Sequence, residues 1–254
     1  RDRVPVVLAA AAKDVPVYIH ESDLTPGLAN RIASKFATKV FCTFEATAEQ
    51  FTDAKAEYLG PVIRSDLQEG NKDEGYALTG FNSDKPVVII MGGSLGAKKI
   101  NDFVREHIDV LTEKYQLIHL TGKGNMNKKI QKAGYKQFEF AGDELADLLA
   151  ISDIVLSRSG SNAIFELLLA KKPMILIPLG LDQSRGDQIQ NAKHFKKEGY
   201  AEVLKEEDLN LENLQEKLEF IEENYSDITS KMTQFKHGFN PAELADKLIG
   251  EASV

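Results

Sequence analysis

Pro86-Val87-Val88-Ile89-Ile90-Met91-Gly92-Gly93-Ser94-Leu95-Gly96-Ala97 decides the fold. Its opening run is apolar on both faces, as a parallel strand covered by helices must be. The glycines end the strand, and an amphipathic pattern from Ala97 to Glu113 reads as a helix. The same order recurs outward in both directions. Strands are expected at Val15–His20, Lys39–Phe44, Gln116–Thr121, Gln137–Ala141, Asp153–Ser157 and Pro173–Pro178. Helical patterns lie at Gly27–Phe36, Asn125–Ala133, Glu144–Ile151, Ser161–Ala170 and Asp187–Glu198. Such alternation predicts an α/β fold with doubly wound parallel sheets, in which ligands sit beyond the strand C-termini.

Gln68–Asp84 loses the periodicity and collects Gly70, Asn71, Gly75, Gly80, Asn82 and Ser83, so it reads as a linker between two sheets. The expected division is 1–68, a linker at 69–84, a ligand-binding domain at 85–239 and a C-terminal helix at 240–254. The first part holds two clear strands and a helix around Pro5–Ala12, and reads as the tail of a domain whose beginning is absent. Asn240-Pro241-Ala242-Glu243 is a helix start with a capping Asn, and Gly250 suits its stop.

Across 254 residues, 43% are hydrophobic and 28% charged, ordinary values for a globular protein with a sizeable core. No apolar run approaches the 18 residues of a spanning helix, and Arg1–Lys13 lacks the flanks of a signal peptide. Cys42 is the single cysteine, which excludes an internal disulfide and fits a reducing cytoplasm. The net charge is −8, and Glu198–Asp227 alone carries eleven acids against two lysines, the pattern of an acidic helical surface. No basic stripe with interleaved aromatics offers a nucleic-acid footprint. Histidines 20, 107, 119, 194 and 237 show no ligand spacing, so no metal is expected.

Five segments carry chemistry. Gly92, Gly93, Ser94 and Gly96 suit close approach of a phosphate to a helix start, or a tight turn with no ligand; the spacing matches neither the dinucleotide fingerprint nor a P-loop. Thr121-Gly122-Lys123-Gly124-Asn125 is a second glycine site, where Lys123 meets a phosphate or the loop is merely flexible. Ser157-Arg158-Ser159-Gly160-Ser161-Asn162 precedes a very apolar helix containing Glu166, which either faces solvent or accepts from the two hydroxyls of a ribose. Pro178–Ala192 is crowded with amides and carboxylates, among them Asp187, Gln188 and Asn191, suited to sugar hydroxyls or simply a polar loop. His20-Glu21-Ser22-Asp23-Leu24-Thr25-Pro26-Gly27 ends a strand, with Thr25 as the expected cap and Pro26 at the first helical position.

Taken in this order, His20–Asn30, Gly92–Ala97, Arg158–Gly160 with Glu166, and Asp187–Ala192 resemble the bacterial MurG family of peptidoglycan synthesis, from about Val4 to the C-terminus. The resemblance implies a GT-B fold, two Rossmann-like domains facing across a cleft, the N-terminal one incomplete here. It implies UDP-GlcNAc held mainly by the second domain, with Gly92, Gly93 and Ser94 at the diphosphate and Gly96 in the same turn. Glu166 would hold the ribose, and Ser159 and Gly160 lie in the matched stretch before it. Gln188, with Asp187 and Asn191, would face GlcNAc, Arg64 the phosphates and Asp23 the donor sugar. Uracil would lie near Phe140–Asp143, with Ala141 among the contacts.

The implied reaction is inverting transfer of GlcNAc to the MurNAc C4 hydroxyl of lipid I, giving lipid II, without a cofactor or a metal. The implied setting is peripheral, at the cytoplasmic face of the membrane, with other cell-wall synthesis proteins as partners and consequences for cell shape and division. The family's acceptor loops and favoured catalytic histidine would precede residue 1, and Arg1-Asp2-Arg3 stand where a glycine-rich stretch is expected. His20 and Glu21 are therefore only local candidates for the base, and the chain is expected to bind donor but to transfer poorly alone. Two alternatives stand beside this reading. One is a related GT-B enzyme with another sugar nucleotide or glycolipid acceptor; the other is a donor-binding subunit needing an N-terminal partner.

Overall fold

The apolar run that decides the fold is the centre of the larger sheet. The computed structural model describes residues 3–51, 55–64, 66–93, 96–181, 183–235 and 238–252. Two units are distinguished: Arg1–Arg64 with Gly160–Phe165 and Lys236–Val254, and Ser65–Ser159 with Glu166–Phe235.

The first unit contains α1 (Arg3–Ala11), β1 (Tyr18–Glu21), α2 (Leu28–Ala33), β2 (Lys39–Cys42), α3 (Glu45–Ala48) and β3 (Ala56–Tyr58). Its sheet is parallel in the order β1-β2-β3, with Ile19 opposite Val40 and Phe41 opposite Glu57. Ala37, Val40 and Cys42 form its buried core, against which Val17, Ile19, Phe51 and Ala56 pack. Burial pushes the Cys42 thiol up to about 12, leaving a small apolar core residue with no nucleophilic character.

The second unit runs α4 (Lys72–Thr79), β4 (Val87–Met91), α5 (Lys98–Glu106), α6 (Ile108–Lys114), β5 (Gln116–Leu120), β6 (Tyr135–Phe138), α7 (Leu145–Ile151) and β7 (Ile154–Ser157). Then follow α8 (Ser161–Leu169), β8 (Met174–Leu176), α9 (Asp187–Lys197), β9 (Ala201–Val203), α10 (Leu211–Glu223) and α11 (Tyr225–Thr233). The chain closes with α12 (Pro241–Ala252), assigned to the first unit; the division also falls within α8.

The six strands are parallel in the order β6-β5-β4-β7-β8-β9. Ile89, Ile118, Val155, Met174, Ile175 and Leu176 are wholly buried. Each such aliphatic side chain contributes about 2 kcal/mol of transfer free energy, the reason these runs are apolar on both faces. Strands built outward from β4 through β5 to β6 are followed by β7, β8 and β9 on the other side. The order therefore reverses between β4 and β7, where Met91 pairs with Ser157. Crevices open at such reversals, because consecutive crossovers leave in opposite directions.

Several expected elements are corrected. Gln68–Asp84 is not loop throughout: it holds α4, capped by the Asn71 side chain accepting from Asp73 N. Gly75 lies inside that helix because a Cβ there would stand 2.4 Å from Asp147 O, and one on Gly70 would stand 2.0 Å from Ala146 O. The glycines mark close approach to α7. Ala97–Glu113 is two helices broken at His107, and Asn125–Ala133 is turns, with Asn127 Oδ1 accepting from Lys129 N. The Gln137–Ala141 strand starts earlier, at Tyr135, and the Val15–His20 strand later, at Tyr18. Thr25 does not cap: α2 starts after Gly27. Gly250 does not stop α12, which continues to Ala252. Its start does form a capping box, with Asn240 Oδ1 accepting from Glu243 N at 3.0 Å and Glu243 Oε2 from Asn240 N at 2.8 Å.

Candidate functional site

The loop between β4 and α5 is shaped by what its glycines exclude. A Cβ on Gly92 would stand 2.4 Å from Ala97 N; one on Gly96 would stand 2.1 Å from Thr121 O, and Gly96 holds φ +75°. Gly93 also has positive φ, at +85°, and its carbonyl accepts from Gly96 N at 2.9 Å. The backbone turns sharply just ahead of α5, which begins at Ala97 with no side-chain cap and no acid in its first turn. That start favours an anion. Ser94 lies outside the described residues.

The next loop supports this turn from beneath. His119 is fully buried, its Nδ1 2.8 Å from Tyr135 Oη and its Nε2 2.9 Å from Asn101 Oδ1. Burial, assisted by the Arg105 charge, pushes its pKa down to about 3. The neutral ring therefore donates from Nε2 to Asn101 Oδ1 and accepts the Tyr135 hydroxyl at Nδ1. Asn101 in turn donates from Nδ2 to Thr121 O at 2.8 Å, the carbonyl against which Gly96 closes. Arg105 donates from Nη2 to Asn125 O. Lys123 is exposed on the loop so held.

Beyond β6, Phe140 is 69% exposed, an unusual state for a Phe beside a candidate site. Ala141 is half-buried, and Gly142 N donates to Glu144 Oε2 at 3.0 Å.

The loops after β7 and β8 are joined to α9. Ser159 is fully buried and donates from Oγ to Gln188 O at 3.0 Å; Asn191, equally buried, donates from Nδ2 to Ser159 O at 3.2 Å. Both were expected to contact donor directly. Instead they fasten the end of β7 to the first turns of α9, and their burial leaves no surface for a sugar. Gln188 is half-buried, with Oε1 accepting Leu179 N at 3.1 Å. Asp187 begins α9, where its charge complements the helix dipole. Gly160 precedes α8 and Glu166 is half-buried within that helix.

In the first unit, Glu21 is 4% exposed, and its carboxylate accepts from Asp23 N at 3.1 Å, Gly27 N at 2.8 Å and Asn30 Nδ2 at 3.0 Å. It organises the loop, its two oxygens engaged by three donors. His20 is half-buried with Nε2 3.0 Å from Thr43 Oγ1; burial lowers its pKa, against the opposing Glu21 charge. Asp23 lies in the same loop and its carbonyl accepts from Thr47 Oγ1 at 3.2 Å. Arg64 is exposed, just past the bridge between Val62 and Phe239.

Asn101, His119 and Glu206 escaped sequence reasoning. Asn101 and His119 carry no motif, and their only signal is a polar side chain at an apolar position of an element. Glu206 is hidden in the acidic run, although its side chain is only 8% exposed.

Residues 87–248 match the model of the glycosyltransferase family 28 C-terminal domain, and residues 1–42 that of the family 28 N-terminal domain. A UDP-N-acetylglucosamine–N-acetylmuramyl-(pentapeptide) pyrophosphoryl-undecaprenol N-acetylglucosamine transferase of Staphylococcus carnosus is 54% identical over 250 residues, covering 98% of this chain and 69% of that protein. The protein of the same name from a Staphylococcus aureus strain is 51% identical over 249 residues, covering 98% and 70%. Among solved structures, the crystal structure of Acinetobacter baumannii MurG superposes with a TM-score of 0.70 at 22% identity, covering 98% of this chain and 70% of that one, a likeness of fold.

Proposed function

The chain belongs to the MurG family of glycosyltransferase family 28, and from that premise we propose how its residues divide the work of the reaction. It is a UDP-GlcNAc-dependent N-acetylglucosaminyltransferase of GT-B fold, transferring GlcNAc to lipid I to form lipid II in peptidoglycan synthesis. The observation that carries the division is the reversal of strand order between β4 and β7, lined on one side by a turn that tolerates no Cβ at Gly92 or Gly96. In our reading the donor diphosphate lies against that turn. Backbone N–H groups at the start of α5, aligned with its dipole, stabilise the negative charge that grows on UDP as the bond to the sugar breaks. No cofactor takes part.

Glu166 accepts from the ribose hydroxyls, and Gln188, through the amide group left after Oε1 is engaged by Leu179 N, meets the GlcNAc hydroxyls with Asp187. Uracil lies along Phe140–Asp143. Ser159 and Asn191 act as the frame beneath these groups. In the chemical step the MurNAc C4 oxygen attacks the anomeric carbon from the face opposite UDP, so configuration inverts and the hydroxyl proton passes to a base. His20 and Glu21 are the local candidates for that proton: burial lowers the His20 pKa against the opposing Glu21 charge, while Glu21 already accepts from three donors. The lipid-linked acceptor places the work at a membrane surface, reached peripherally; no helix among the described residues is long and apolar enough to cross a membrane.

Calorimetric titration tests this division. UDP-GlcNAc is expected to bind more tightly than UDP-glucose, and Glu166→Ala to weaken UDP-GlcNAc and UDP alike by about 10-fold or more, the loss of a charge-assisted hydrogen-bond pair. Equal binding of the two sugars, or a Glu166→Ala variant that binds as well as the parent, would overturn it.

A further inference from the structure

Glu206 differs from the acids around it. Glu207 and Asp208 are exposed, whereas Glu206 is buried to 8% against Arg158, itself 11% exposed. Glu206 Oε1 accepts from Arg158 Nη2, and Oε2 accepts from Gln183 Nε2 at 3.2 Å. The second arm of the guanidinium, Nη1, donates to Ile177 O at 3.2 Å. One carboxylate thus gathers three segments: Arg158 next to Ser159 at the end of β7, Ile177 at the end of β8, and Gln183 in the middle of the loop leading to α9.

Ser184 Oγ donates within the loop, to Leu179 O and Gly180 O, and Leu179 N donates to Gln188 Oε1. Glu206 ties Gln183, on the loop's far side, to the ends of β7 and β8. Its partners all lie between β7 and α9, and none lies in the β4–α5 turn or at Phe140–Asp143.

We propose that Glu206 is a positioning residue that sets how the sugar of the donor, as distinct from its nucleotide, is held by the Pro178–Gly186 loop. The inference rests on the donor-site reading above. A carboxylate suits the task because one oxygen accepts from the guanidinium and the other from a neutral amide. Its neutral amide isostere keeps one oxygen for the buried guanidinium but removes the charge facing it, and it turns an N–H₂ toward Gln183, which no longer finds an acceptor there unless its own amide flips.

The test compares UDP with UDP-GlcNAc by calorimetry, and KM with kcat for transfer to a lipid I analogue, in Glu206→Gln, Gln183→Ala and the double variant. Glu206→Gln is expected to weaken UDP-GlcNAc about 20-fold and Gln183→Ala about 5-fold, with UDP changed less than about 2-fold in both. The double variant is expected to be no weaker than Glu206→Gln, because both act through one tie. Gln183 is exposed and carries no buried charge, so Gln183→Ala decides the matter even if Glu206→Gln fails to fold. A parallel loss of UDP and UDP-GlcNAc means a merely structural role and overturns the inference, as does no loss of either. A parent protein that binds neither nucleotide overturns the donor-site reading itself.

Discussion

Two strand-to-helix turns of this protein solve the same electrostatic problem in opposite ways. After β1, the chain supplies its own anion: the buried Glu21 carboxylate takes the N–H of Asp23 and of Gly27, the residue that opens α2. After β4, no acid stands in the first turn of α5 and no side chain caps it, while glycines bring the backbone close to whatever lies there. A helix start in a parallel sheet attracts negative charge in either case. In the reading proposed above, the filled start is scaffold and the unfilled one, lined by glycine, is where the donor diphosphate would lie. The difference is carried by one residue type, so it can be broken by single substitutions.

The largest effect is expected where the internal anion is removed. Glu21→Ala strands three donors and should cost the first unit about 5 kcal/mol, read by urea unfolding with hydrogen exchange at β1 and β2, while UDP titration of the second unit stays unchanged. A loss under 1 kcal/mol would mean that water replaces the carboxylate and the comparison fails. Gly96→Ala is the reverse experiment. Its Cβ meets Thr121 O in a left-handed conformation, so UDP affinity should fall at least about 100-fold. An alanine that binds UDP normally would show the turn to be free of ligand.

His119 sharpens the same side. It is neutral when folded, with a pKa near 3, and titrates near 6.5 when unfolded. Between those values the unfolded chain binds the extra proton, so stability is complete above pH 6.5. It falls on acidification by at most about 1.4 kcal/mol per pH unit down to pH 3. Comparing unfolding free energies of the parent and His119→Gln across pH 4 to 7 should show that part of the slope vanish in the variant. The smallest effect belongs to a third helix start, α12, whose Asn240–Glu243 box closes on itself. Asn240→Ala should cost about 1 kcal/mol in thermal unfolding and leave nucleotide binding untouched.

The sequence was most legible where burial is symmetrical. Val87–Met91 and Met174–Leu176 lie under helices on both faces, and their composition says so. It was least legible at the sheet edges. β3 (Ala56–Tyr58) and β9 (Ala201–Val203) are three residues long with a Glu in the middle; Glu57 is paired by Lys39 and Lys247, and the buried Glu202 by Lys196 and Lys217, pairings that composition does not announce. Gly70 and Gly75 looked like linker because close backbone approach and flexibility use the same residue, and only the facing α7 tells them apart. Within the site, glycines and the loop amides were visible as chemistry. Yet Ser159 and Asn191 are frame, since whether a polar side chain faces ligand or backbone depends on contacts made across the sheet. Glu206 shows the converse, a functional-looking partner of Arg158 concealed in a run that composition alone assigns to solvent.

The route of the chain has a consequence for its synthesis. Lys39 and Lys247 both lie over the Phe41 ring, at 5.6 and 5.8 Å from its centroid, and Lys39 pairs with Glu251, 212 residues later. On the ribosome, β1, β2 and β3 are made before the whole second sheet and wait for α12, which is made after it. Closing so long an interval costs loop entropy, though only logarithmically in its length. The waiting time is a matter of translation rate, and during it β1, β2 and β3 are the strands in need of protection from premature association.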